Sequence, residues 1–293
     1  MDSWKTKRYQ ARLKTLRDKK MLDMGMMTQS GDYHYSPFHT PNIDDYYFDF
    51  DNARDCCAFI ESEIKLFQGG AHTSAGEFMV LLSWQRAFIS NIFGWKVKKT
   101  GLRRYREGFI YVPRGNGKTS FIGAIALMFM MMEDEGGIQV ICGANSKEQA
   151  QIPLDFARNA ILQNENLQDH FKTYAKAVTG RFDMDSMKSI SNDPGIHDGL
   201  NICFGINDEI HEFKNERLPN IITGSQIKRS QPLYMEITTA ASQGENYCND
   251  RVQFGIKVAT GEWEADYFLP CMWYMEDGSV ETDDKDANVL DPY

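Results

Sequence analysis

Two stretches of this chain carry residue types that handle phosphate chemistry. The first, Val112-Pro113-Arg114-Gly115-Asn116-Gly117-Lys118-Thr119, follows the apolar run Phe109 to Val112 and opens another. Small residues there let backbone N–H groups curl around phosphates at a helix N-terminus, where the partial positive charge favours anions. Within the segment Pro113 to Ser120, Lys118 would reach the β and γ phosphates of a nucleotide and the Thr119 hydroxyl would ligate Mg²⁺. A strict GxxxxGK[ST] pattern misses the loop, because Val112 stands where the first glycine is usual. The plain alternative is a strand-turn-helix that happens to contain Gly-Lys-Thr. The apolar strand before it and the uninterrupted apolar helix after it argue for the phosphate loop.

The second stretch is Ile202-Cys203-Phe204-Gly205-Ile206-Asn207-Asp208-Glu209. Nucleotide hydrolysis needs one carboxylate to hold Mg²⁺ through its water shell and another to orient or deprotonate the attacking water. Adjacent residues at a strand end point in different directions, so one pair serves both tasks. Asp208 is the expected metal residue and Glu209 the expected base. Gly205 and Asn207 make this strand less apolar than an ideal one, and the competing reading is a strand ending in a solvated acidic turn. His211, beside Glu212, reads as a surface hydrogen bonder.

The elements that must position these groups follow from periodicity and turn signals. Residues 21–50 show neither helical nor strand period and read as an extended lead-in. Ile60, Ile64 and Phe67 recur at helical spacing behind an Asp51 or Asn52 cap, with Gly69-Gly70 as the stop. Ser83 caps a second helix that presents Trp84, Phe88 and Ile92 and ends near Gly94. Strand and helix then alternate: strand Phe109 to Val112, helix Lys118 to Met132, strand Ile138 to Cys142, then a helix near Lys147 to Leu162. Further strands are expected at Ile202 to Ile206 and Leu233 to Thr238. Such alternation implies an α/β fold with a mostly parallel sheet and helices on both faces. Met128, Met130, Met131 and Met132 belong to the core of the third helix. The division expected is a basic, extended segment over 1–50, a P-loop ATPase domain of the RecA-like type over 51–275, and an acidic tail or linker over 276–293.

Composition narrows the partners. The net charge of −9 excludes a protein that coats nucleic acid with its whole surface. The charge is uneven, with basic stretches in the first twenty residues and from Lys96 to Arg106, each either a contact for DNA or a solvated face. The six cysteines show no CxxC or zinc spacing and read as reduced core thiols. The longest apolar run, Phe121 to Met132, falls far short of the ~20 residues that span a bilayer. A cytosolic protein is expected.

Several stretches together resemble the large terminase subunits of tailed double-stranded DNA phages, in the HK97-like branch. They cover roughly residues 55–275. Leu82-Ser83-Trp84-Gln85-Arg86 and Phe93-Gly94-Trp95 are similar to the family's adenine-recognising segment. Arg103-Arg104-Tyr105 and then Val112 to Thr119 resemble its run into a deviant Walker A motif, with Arg114 matching the arginine within the loop. Cys142 to Ala150 resembles the segment after the next strand, and Asn207 to Phe213 the Walker B strand and the turn beyond. Ile237-Thr238-Thr239-Ala240 resembles the motif that couples hydrolysis to movement.

The resemblance implies ATP and Mg²⁺ as cofactors, the Gln85 amide on the adenine, and Thr238 and Thr239 as coupling residues. It implies Arg114 acting on the γ-phosphoryl charge in the same subunit, and Arg229 or Arg251 reaching a neighbouring site in a ring. The implied activity is ATP hydrolysis that drives double-stranded DNA into a procapsid in the host cytoplasm. Portal protein, small terminase subunit and a homopentameric ring are the implied partners, with no membrane. Family members continue into an RNase H-like nuclease, whereas this chain stops in what resembles the linker, so no nuclease activity is expected of it. Asp183, Asp185, Asp193 and Asp198 are read as loop residues, and Asp283, Asp284 and Asp286 as a solvated run. Two other functions fit the same motifs. One is a superfamily 2 type helicase or translocase, which would need a second RecA-like lobe after residue 240. The other is a nucleotide-gated binding module without turnover.

Overall fold

In the computed structural model, residues 45–69, 74–180, 184–191, 199–239 and 246–272 are described. The basic stretch over residues 1–20, the rest of the lead-in to residue 44, Asp183, Asp193, Asp198 and the acidic tail lie outside them. The chain opens with β1 (Tyr46–Phe48), α1 (Phe50–Glu63), α2 (Ser83–Gly94), β2 (Trp95–Val97), β3 (Glu107–Tyr111) and α3 (Lys118–Met132). It continues through β4 (Gln139–Ala144), α4 (Lys147–Leu162), the short α5 (Glu165–Gln168), β5 (Phe171–Tyr174), β6 (Ala177–Gly180) and β7 (Ser186–Ser191). The last part comprises β8 (Phe204–Asp208), a 3-10 turn (Ile210–Glu212), α6 (Arg217–Gly224), β9 (Leu233–Thr238), α7 (Tyr247–Ala259) and β10 (Phe268–Met272).

The main sheet has eight strands in the order β10-β3-β9-β8-β4-β7-β6-β5. Pairing is parallel from β10 through β7 and antiparallel only at β6 and β5. The expected mostly parallel α/β sheet is therefore present. Strand side chains alternate between two apolar layers, as a pleated sheet covered on both faces requires. Ile110, Val140, Cys142, Phe204, Met235 and Cys271 pack with α1 to α4, while Phe109, Tyr111, Ile141, Tyr234 and Phe268 pack with α6 and α7.

Register sets the level of the chemistry. Tyr111 pairs with Thr238 and Asp208 with Ile237, so the strand ends after β3, β8 and β9 open on one edge, with β9 between the other two. Helix α3 and strand β9 have the expected bounds, and α4 lies where a helix was expected. Elsewhere local bonding moves the ends. The cap of α1 is Asp49, whose side chain accepts from Asn52 N at 3.0 Å, and not Asp51 or Asn52. That helix stops at Glu63 and not at the glycine pair, because Ile64 turns extended and its carbonyl accepts from Met79 N at 2.8 Å. Strand β8 starts at Phe204, since Ile202 N bonds Ser225 O off the sheet at 3.1 Å. Asp185 accepts from Ile138 N at 2.8 Å, which makes it a loop residue that ties β4 to the turn before β7.

The second basic stretch is not a free surface along its length. Arg103 and Arg104 are 4% and 7% exposed and pair with Glu133 and Asp266. All six cysteines are buried and free. No helix among the described residues is long and apolar enough to cross a membrane.

Candidate active site

Tyr111 ends β3, and the chain then turns through Pro113 to Gly117 into α3. Gly115 has φ +86° and Gly117, the residue ahead of α3, has φ +66°. Left-handed backbone favours glycine, so these two positions explain the glycines of the loop. The Asn116 amide donates to Pro113 O at 3.2 Å and braces the turn from within. Lys118 is 6% exposed and its Nζ donates to Val112 O and Pro113 O at 3.3 and 3.1 Å. Burial lowers its pKa against the pull of Glu209 and Asp208. Gln85 is buried and its Oε1 accepts from Leu82 N at 3.0 Å, while its Nε2 lies against Gly117.

The second stretch meets the first across the strand edge. Thr119 Oγ1 donates to Asp208 Oδ2 at 3.3 Å, which joins the loop to the end of β8. Asp208 is 4% exposed. Burial and then the charge of Glu209 push its carboxyl up to about 6. Glu209 moves the other way. Burial raises its pKa, but the His211 contact, Lys118 and Arg114 hold it below the ordinary value. Its φ of +51° makes it the non-glycine residue with left-handed backbone among those described. Such strain costs roughly 1 kcal/mol or more and gathers at functional sites.

Around these groups lies a cleft of about 370 Å³, within the range of small-molecule sites. Its walls include Arg114, Gly115, Gly117, Lys118, Thr119, Ser120, Asp208 and Glu209, together with Gln149, Ile152, His211 and Glu212. Pro113, Asn116 and Gln85 are not among the residues that line it. A buried carboxylate with a raised pKa beside a hydroxyl is a donor set that a hard cation suits, and Asp208 with Thr119 fits a magnesium ion on that ground.

His211 differs from the sequence expectation. It is not a surface group: its side chain is 15% exposed, with Nδ1 3.1 Å from Glu209 Oε2 and 3.1 Å from Thr238 Oγ1. Its depth follows from the reversal at Glu209, which a pattern of letters does not display. Gln149 was also missed as a cleft residue. It caps α4 with Ser146, and its Nε2 reaches Glu212 Oε2 at 2.7 Å. The Ser-x-x-Gln spacing of that capping box was the available signal.

Thr238 and Thr239 are both buried where β9 ends. Thr238 Oγ1 donates to Thr239 O at 2.9 Å and accepts from His211 N at 3.2 Å. Thr239 Oγ1 has no hydrogen-bond partner among the described residues. The two arginines considered for a neighbouring site both have partners within the chain. Arg229 donates to Asn201 O, Gly136 O and Gly137 O near the starts of β4 and β8, away from the cleft. Arg251 is clamped between Glu236 and Glu107 under the rings of Phe109, Phe254 and Phe268.

Comparison with known proteins agrees with the geometry. The HK97 bacteriophage large terminase superposes with a TM-score of 0.64 at 21% identity, over 77% of this chain and 44% of that one. The Thermus phage P74-26 large terminase ATPase domain gives 0.43 at 16% identity, over 60% of this chain and 69% of that one. The large terminase of a thermophilic bacteriophage in complex with ATP-γ-S gives 0.40 at 12% identity, over 59% of this chain and 41% of that one. No curated protein matches. This chain thus spans less than half of the HK97 protein it resembles. The family model for the terminase large subunit, ATPase domain, matches residues 83–255, more than half of the sequence and all of the cleft described above, and the chain belongs to that family.

Proposed function

We propose that this chain is the ATP-hydrolysing motor of a phage terminase large subunit, which drives double-stranded DNA into a procapsid. The observation that carries the reading is the Thr119–Asp208 contact, with Lys118 and Glu209 facing the same cleft. ATP would lie with its phosphates over residues 113–120 and its base on the Gln85 side. Thr119 and Asp208 would hold a magnesium ion, which would supply neutralisation of phosphate charge there. Lys118 would leave the carbonyls of Val112 and Pro113 for phosphate oxygens. Glu209, kept ionised by the charges around it, would accept a proton from the attacking water. Arg114, on the cleft wall, would meet the charge that develops on the γ-phosphoryl oxygens. Thr238 and Thr239 would pass the event to the segment beyond β9.

The implied partners are DNA, portal protein, small terminase subunit and further copies of the chain in a ring, all in the host cytoplasm. Hydrolysis by the full chain, with and without DNA, tests the proposal. Lys118→Ala should abolish turnover and weaken nucleotide binding, while Glu209→Gln should abolish turnover and keep binding. Wild-type hydrolysis by Glu209→Gln overturns the assignment of the base. A burst of bound nucleotide without single-turnover cleavage would instead identify a nucleotide-gated binding module.

A further inference from the structure

We infer that His211 is a positioning residue that passes the placement of the Glu209 carboxylate to Thr238. The argument is a count of hydrogens. A threonine hydroxyl has one hydrogen and two lone pairs. The hydrogen of Thr238 goes to Thr239 O at 2.9 Å. One lone pair accepts from His211 N at 3.2 Å. The other faces His211 Nδ1 at 3.1 Å, so Nδ1 carries the ring hydrogen and donates it. The Cys248 thiol, 3.8 Å from the same oxygen, is the weaker claimant.

That same Nδ1 lies 3.1 Å from Glu209 Oε2, a buried oxygen that no other donor among the described residues reaches. One hydrogen therefore stands between two acceptors at equal distance. A small shift of the carboxylate decides which acceptor takes it. A buried carboxylate oxygen with no other donor gains from that hydrogen, which gives the shift a direction. With the carboxylate turned onto Nδ1–H, Thr238 loses part of its anchor. With the carboxylate turned to the attacking water, Thr238 has the hydrogen to itself.

Thr238 is joined in turn to the phosphate loop, because its carbonyl accepts from Val112 N at 3.3 Å. The contacts Glu209–His211–Thr238–Val112 link the base, the end of β9 and the loop that holds the phosphates. His211 is the member that touches both the base and the coupling threonine. The inference rests on the reading of Glu209 as base and Thr238 as coupling residue.

The test uses the full chain with His211→Ala and His211→Asn, the second because an asparagine amide can donate from near the Nδ1 position. Steady-state hydrolysis gives kcat and KM, and amide hydrogen exchange of residues 237–239 with and without ATP reads the strand end. His211→Ala should lower kcat about 10- to 100-fold, the scale on which groups that orient a reactive residue act. It should leave KM unchanged and remove the ATP-dependent change in exchange. His211→Asn should restore both readouts.

Full activity in His211→Ala, or equal losses in both variants with equally lowered Tm, overturns the relay. Should His211→Ala fail to fold, the asparagine variant decides alone: retained ATP-dependent exchange supports the relay and its loss overturns it. Glu209→Gln separates the two levels of the argument. If that variant hydrolyses normally the assignment of Glu209 as base fails, and the relay with it; if it is dead while His211→Ala is fully active only the relay fails.

Discussion

Asp208 and Glu209 are neighbours in sequence, yet their environments push them in opposite directions. Asp208 ends a buried strand and has only the Thr119 hydroxyl and one backbone N–H as nearby donors, so burial and then the Glu209 charge raise it to about 6. Glu209 turns back through a left-handed residue toward Lys118, Arg114 and His211, whose charges and contacts overcome its burial. On the proposed reading, a cation would relieve the costly charge on Asp208, while Glu209, held ionised, would orient the attacking water and receive its proton as the bond to phosphorus forms. The stability consequence has a definite sign. Asp208 binds its proton more tightly in the folded chain, so its contribution is full below about pH 4 and lost as pH rises through about 6. In metal-free buffer with chelator, Asp208→Asn should therefore match wild type in urea melts near pH 4. Near pH 7.5 it should be the more stable by up to about 3 kcal/mol. Added Mg²⁺ should close that gap by binding wild type alone. An advantage equal at both pH values would remove burial of the ionised carboxylate as its cause.

Among the elements, the two residues that make β8 a poor strand by letter turn out to be packing requirements. A Cβ on Gly205 would lie 2.1 Å from Ile222 Cγ2 on α6, and one on Gly143 of β4 would lie 2.4 Å from Asn207 Oδ1. Helix α6 rests directly on the backbone of the strand that presents Asp208. Gly205→Ala should cost about 1–3 kcal/mol by overpacking. Adding Ile222→Ala should recover part of that loss in a thermal melt, whereas simple additivity of the two losses would remove the contact as the cause. This dependence on a helix elsewhere in the chain marks the limit of what single-stretch reading can reach. Helices α3 and α4 were legible because α3 is an uninterrupted apolar run behind the Gly117 turn and α4 follows a Ser-x-x-Gln start. The antiparallel pair β5 and β6 and its partner β7 were not, because their half-exposed, polar side chains give no clear alternation. Helices α6 and α7 also escaped, although Asn246 caps α7 by accepting from Asn249 N at 2.9 Å and offered a start signal. At the site, Lys118, Thr119, Asp208 and Glu209 could be found from residue type and order. His211 could not, since its place is made by a reversal of the backbone.

Across the whole molecule the sheet is polar, with the cleft at one edge and structural ion pairs toward the strand starts and beneath the α7 face. Glu107 begins β3 and Glu236 lies mid-strand in β9, and Arg251 of α7 joins the two. Tyr234 Oη, itself taking a hydrogen from Asn207, and Tyr247 Oη also donate to Glu236, whose side chain is fully buried. Both carboxylates together hold the Arg251 guanidinium above its ordinary pKa in spite of its burial. Arg229 performs a related task by closing the 136–137 turn onto Asn201. Removing one member of such a buried set leaves its partners uncompensated, at a cost of about 3–5 kcal/mol. Arg251→Met should therefore lower Tm sharply, and Arg251→Met with Glu236→Gln should recover some of it. Arg229→Ala should lose stability through the carbonyls it no longer caps. Neither arginine faces the cleft, so hydrolysis per folded subunit should keep its KM and stay within a few-fold of wild-type kcat, whether the variant is alone or mixed with wild-type chains. An arginine acting on a neighbour's γ-phosphate would behave differently, because its loss lowers kcat by several powers of ten while the fold survives. A drop of that size for Arg229→Ala, at unchanged Tm and in mixed assemblies, would return it to the active site of an adjacent subunit. A lowered Tm with intact turnover places it in the frame that holds β4 and β8 in register.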